Sequence, residues 1–142
     1  MAFDLKPTQL TDIATERALE EKKKQEEKER QRREEQARIR DEFFDGEIPG
    51  DWRERLGRRL SDAAARGQTS IMIGHFPSDW CTDSGRAINS GRTDWPDTLQ
   101  GDAKTGYETY LRELKPLGYK LEARIINFPN GMPGDVGLYL SW

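Results

Sequence analysis

The chain has 142 residues, 35% charged and 34% hydrophobic, with 23 bases against 26 acids, a net charge of -3 and a mean hydropathy of -0.95. This near-balance argues against a strongly basic nucleic-acid binder, and the polarity is too high for one uniform globule, so the polar excess must be segregated. A single cysteine excludes an internal disulfide, while the lack of any apolar run of about 18 residues or of a signal-like N-terminus points to a cytoplasmic protein with no membrane partner.

The segregation falls at the N-terminal end. Residues 16–42 carry ten acids and ten bases, no glycine or proline, and Ile39 as their one β-branched residue, a composition that favours helix. Acid-then-base pairs four residues apart recur at Glu20/Lys24, Glu26/Arg30, Glu29/Arg33 and Glu34/Arg38, each adding about 0.2–0.5 kcal/mol. No apolar residue stands between Leu19 and Ala37, which excludes a leucine-zipper seam there. Residues 1–42 are therefore expected to form a charged helical arm, partly exposed or disordered, with apolar patches before (Leu10, Ile13, Ala14, Leu19) and after it (Ile39, Phe43, Phe44) open to docking. The basic run KERQRR at 28–33 is flanked by Glu26, Glu27, Glu34 and Glu35, which cancel its field within about 8–10 Å. It also lacks aromatic residues on which bases could stack, so nucleic-acid binding through it is expected to be weak.

Two glycines and a proline in FFDGEIPG make residues 43–50 a linker, leaving 51–142 as a small α+β domain. Twelve of the thirteen aromatic residues follow position 42, enough for a small core. Asp51 is placed to cap a helix whose Trp52, Leu56, Leu60, Ala63 and Ala64 share one face before Gly67 stops it. TSIMIGHF at 69–76 predicts a strand buried on both faces. A second helix over 102–115 turns Tyr107, Tyr110, Leu111 and Leu114 inward, and strands at 120–128 and 136–142 form a hairpin. The order is α-β-α-β-β. The simplest assembly is a three-stranded mixed sheet with helices on one face, its first two strands parallel through a right-handed crossover. The last strand then lies antiparallel at an edge, where Leu138, Tyr139, Leu140 and Trp142 are candidates for strand addition by a protein partner or by a second copy. Phe43 and Phe44 are candidates for the same role.

Among local motifs, WCTDSGRAIN at 80–89 carries the most chemistry. Cys81, Asp83, Ser84 and Arg86 form a candidate anion or partner loop, because Thr82, Asp83 or Ser84 can start a short helix whose free amides would face an anion beside Arg86. A phosphatase-like loop needs five residues between Cys and Arg; here four intervene. Asp79 and Asp83 push the thiol pKa upward, away from reactivity. A dyad of Cys81 with His75 has the right residue types but no further support, Asp83 and Ser84 suit helix capping, and Arg86 suits a pair with Asp79. One His and one Cys cannot supply a His/Cys zinc set, so no metal, cofactor or catalytic residue is assigned. Trp95, before Pro96, is expected as a lid on the core.

The functional expectation is a non-enzymatic protein-protein interaction or adaptor protein. Its first alternative is a nucleic-acid or ribosome-associated factor using the basic run at 53–59, and its second is a small enzyme working at Cys81 to Arg86.

Overall fold

The computed structural model describes residues 2–142, which divide into two compact units, the first ending at Asp41 and the second running Glu42–Trp142. Helix α1 (Pro7–Asp45) supplies nearly all of the first unit. Proline suits its first position, where an amide hydrogen would lack a partner anyway, and the Gln9 side chain accepts from the Lys6 amide at 2.7 Å. The helix carries ion pairs as its composition implies, though one expected pair is shifted by a residue. Arg30 meets Glu27 at 2.5 Å rather than Glu26, and Arg38 meets Glu35. All of these groups are well exposed, so each pair contributes little. Among the described residues, α1 buries Phe43 alone.

The second unit is an α+β fold. Helix α2 (Trp52–Ala65) leads into strand β1 (Ser70–Pro77), a one-turn α3 (Arg86–Asn89) and α4 (Gly101–Thr109) follow, and the hairpin of β2 (Lys120–Ile125) and β3 (Asp135–Ser141) completes it. The sheet order is β1-β3-β2 with both pairings antiparallel. This corrects the mixed sheet: β1 and β2 do run parallel, but β3 lies between them. Composition explains the exchange. Val136, Leu138 and Leu140 are 0%, 6% and 0% exposed, and nothing charged follows Asp135, so this strand gains most from neighbours on both sides. Lys120, Glu122 and Arg124 suit β2 to an edge. The other edge, β1, bulges at Ile73 between the pairs Met72/Tyr139 and Gly74/Leu138. Its Met72 and His75 are exposed, so β1 is covered on one face and not on both.

Val136 and Leu138 pack with Phe76, Cys81, Ile88 of α3 and Ala103 of α4, and Leu121, Ala123 and Ile125 of β2 line the same core. Two helical details depart from the pattern. Asp51 does not cap α2; its carboxylate accepts from Arg55 Nε at 2.9 Å. The second helix does not run evenly to 115, because a π turn (Tyr110–Leu114) and a 3-10 turn (Lys115–Leu117) follow α4. Pro116 has no amide hydrogen with which to continue the i to i-4 ladder, although Lys115 before it keeps α backbone at φ -57° and ψ -42°. The phase slips accordingly: Tyr110 is buried with its hydroxyl donating to the Tyr119 carbonyl at 2.9 Å, while Leu111 stays 40% exposed.

The largest departure is at the expected linker. Helix α1 continues to Asp45, and Phe43 enters the second unit's core, its ring centroid 4.6 Å from that of Trp80 and 5.2 Å from those of Phe76 and Phe44. Gly101, at φ +55°, makes room for it: a Cβ there would stand 2.3 Å from the Phe43 carbonyl oxygen. Phe43 is thus a packing residue and not a free docking group. Phe43→Ala is expected to lower unfolding free energy by about 3 kcal/mol or more in urea titrations. Leu10→Ala or Ile13→Ala, at positions 53% and 59% exposed, should stay within about 0.5 kcal/mol of wild type.

Candidate functional site

From the end of β1 the chain makes a 3-10 turn (Ser78–Trp80) and enters the loop that leads into α3. Cys81 is 3% exposed and part of the core cluster. Burial pushes its thiol up to about 11, opposed by a hydrogen bond with Thr98 and reinforced by the Asp83 charge. A thiol so held is almost wholly protonated near neutrality and is a poor nucleophile. His75 is exposed on β1, and no hydrogen bond joins it to Cys81.

Asp83 fills the position where an anion would bind. Its carboxylate oxygens accept from the Gly85 amide at 3.0 Å and the Ala87 amide at 2.8 Å, so the amides opening α3 are already partnered from within. Ser84 and Arg86 are exposed, Ser84 in the left-handed region at φ 58°, and Arg86 makes no ion pair with Asp79 or any other acid among the described residues. Gly85 is fixed by space as well as by φ +81°, since a Cβ there would come 2.9 Å from that of Ser78. The loop therefore draws Cys81 and Asp83 inward and leaves Ser84 and Arg86 in solvent. Trp95 is half-buried against Tyr107, ring centroids 5.7 Å apart.

The strand-edge candidates are likewise redistributed. Leu138 and Leu140 are core residues of the central strand, and Tyr139 lies under the Arg124 guanidinium, 4.7 Å from its ring centroid. Trp142 is 42% exposed, with its amide tied to the Thr69 carbonyl at 3.1 Å. No open backbone edge exists along β3, because β1 and β2 occupy both sides.

A pocket of about 560 Å³ opens in the second unit. Trp52 and Leu56 of α2 line it with Ile48 and Pro49 before them, Ile73 and Phe76 of β1 form a second wall, and Ala103, Gly106 and Leu114 a third. Two of its glycines, Gly74 and Gly106, would direct a Cβ into open space, with no atom within 4 Å. The volume and apolar walls fall in the range of binding clefts. Its polar groups are few. Arg55 is paired with Asp51, and Arg59 donates to the Met72 carbonyl at 2.5 Å. Asp102, in the first turn of α4, buries Oδ1 without a hydrogen-bond partner. Burial raises its carboxyl pKa, and the charges of Asp45, Glu42 and Glu47 raise it further. Among the described residues no three His, Cys, Asp or Glu side chains converge as a metal set, and no helix is long and apolar enough to cross a membrane.

Comparisons with protein-family models, with curated proteins and with solved structures give no match for this chain. The pocket escaped sequence reading because its walls come from three distant segments. The one legible trace was the Trp52/Leu56 face of α2, which pattern alone assigns to the core. Asp102 read as an ordinary first-turn acid.

Two pH effects follow. Native Cys81 should react with iodoacetamide at neutral pH far more slowly than in urea-unfolded chain. Because folding raises this thiol from its ordinary 9.0 to about 11, the unfolded chain loses its proton first; stability contributed by the neutral thiol is present below pH 9 and fades as pH climbs towards 11, a slope that Cys81→Ser should remove. The raised Asp102 carboxyl behaves in the same direction at lower pH. Its neutral form is favoured by folding, so the wild type should lose stability as pH rises through its raised folded value, and Asp102→Asn should be the more stable variant at pH 7 in paired urea titrations.

Proposed function

We propose that this chain is a non-enzymatic interaction protein whose Glu42–Trp142 unit receives an apolar side chain of a protein partner in the pocket lined by Trp52, Leu56 and Ile73. The observation that carries this reading is the pocket itself, a cleft of about 560 Å³ with mainly apolar walls. The charged helix of the first unit, with no apolar residue from 20 to 36, serves as reach in an adaptor; residues 7–41 extend roughly 50 Å at 1.5 Å per residue.

Charge narrows the partner. Asp45, Glu47 and Asp102 have no ion-pair partner among the described residues, and the first two act on the third through space. A peptide segment that sets Lys or Arg next to its apolar anchor would meet that negative corner. The basic residues of α2 are largely engaged: Arg53 is held by Glu113 at 2.5 Å and stacks on Trp52, while Arg55 and Arg59 have the partners given above. That arrangement favours a protein partner over a nucleic acid.

Trp52 provides the reporter. Titration with peptides sharing one Leu or Phe anchor should show saturable changes in tryptophan emission, tighter by about tenfold for basic than for acidic flanks, equivalent to roughly 1.4 kcal/mol. Leu56→Glu, folded by circular dichroism, should lose the response. If neither peptide binds, or Leu56→Glu binds as well as wild type, the pocket is not the partner site.

A further inference from the structure

We infer that Asn130 is an intrinsic modification site of this chain, converting by ring closure with Gly131 and placing a new negative charge on the apolar tip of the β2–β3 connection. Three asparagines are present, and the structure distinguishes them. Asn127 is a structural anchor: its Oδ1 accepts from the Asp135 amide at 2.8 Å, its Nδ2 donates to Asp135 Oδ2 at 3.2 Å, and its neighbour is the bulky Phe128. Asn89 lies in α3, and the following Ser90 amide is bonded to the Arg86 carbonyl at 2.9 Å. Asn130 is exposed, its side chain makes no hydrogen bond among the described residues, and the residue after it is glycine, whose amide has no Cβ beside it to obstruct attack.

The chemistry needs nothing beyond water and hydroxide. Hydroxide takes the Gly131 amide proton, the nitrogen attacks Asn130 Cγ, and a C–N bond forms as the Cγ–Nδ2 bond breaks; Nδ2 takes up a proton from water and leaves as ammonia. Water then opens the five-membered imide at either carbonyl, giving aspartate, or isoaspartate with the backbone lengthened by one methylene, at position 130.

The fold supplies a brake as well as access. Asn130 and Gly131 both have positive φ, 54° and 76°, in a turn (Pro129–Gly131) where the Gly131 amide donates to the Phe128 carbonyl at 3.1 Å. That bond must open before the nitrogen can attack, so conversion in the folded chain is slower than in the unfolded one. The tip that receives the charge carries Phe128 and Met132, 53% and 67% exposed. An interaction made through that tip would be weakened by the conversion.

The full folded chain is incubated at mildly alkaline pH, digested with trypsin, and the peptides beginning at Ala87 and at Ile125 sequenced by mass spectrometry, with urea-unfolded chain in parallel. The expected result is the amide-to-acid mass increase at 130 in both samples, later in the folded one, with positions 89 and 127 unchanged over the same interval. Asn130→Gln should abolish the increase without altering the circular dichroism spectrum. Conversion at 89 or 127 that keeps pace with 130, or a folded chain that never converts while the unfolded one does, overturns the inference.

Discussion

The Phe43 ring ties the end of α1 into the core of the second unit. It lies against Phe76 at the end of β1, against Trp80 in the following turn, and against the backbone where α4 begins, with Gly101 admitting the close approach. Several local features depend on this contact. It fixes the last turn of α1 in the core, and the following residues Ile48 and Pro49 become a wall of the pocket. It also brings Asp45 and Glu47 to where they act on Asp102. An acidic corner beside an apolar cleft is thus a product of one aromatic contact, without any acid being selected by pattern.

How much of this could be read in advance depends on the range of the interaction. The α+β class, the polar helix, α2 and the hairpin rest on neighbours a few residues apart, and the residue pattern carries them. Strand order does not. Alternation in Val136, Leu138 and Leu140 marks which side chains turn inward, but a central strand and an edge strand with one covered face alternate alike. The absence of charge after Asp135, set against Lys120, Glu122 and Arg124 in β2, was the available sign that the apolar strand belongs inside. Phe43 was misassigned for a related reason, since FFDGEIPG has a linker's composition and only the left-handed Gly101, far along the chain, explains why an aromatic fits there.

At the candidate loop, residue types were legible and directions were not. Asp83 as the partner of the α3 amides follows from spacing, but the upward push on Cys81 comes mainly from burial, with the Asp83 charge only adding to it. Whether Arg86 faces its neighbours or solvent depends on a left-handed step at Ser84 and Gly85, which no side-chain pattern announces. Open space is harder still to anticipate. Gly74 and Gly106 line a cavity, Gly101 and Gly134 fill crowded positions, and the letters are identical.

The central position of β3 has a consequence for the chain during its own synthesis. When β1 leaves the ribosome, the strand it will pair with lies about sixty residues further on, and β2 cannot substitute because it never pairs with β1. Ile71, Ile73 and Phe76 must wait in water through the making of α3, α4 and β2, a delay of several seconds at about 5–20 residues per second. Pro77 at the strand's end has no amide hydrogen to give to a ladder, which shortens the stretch of β1 through which nascent copies on one messenger could pair.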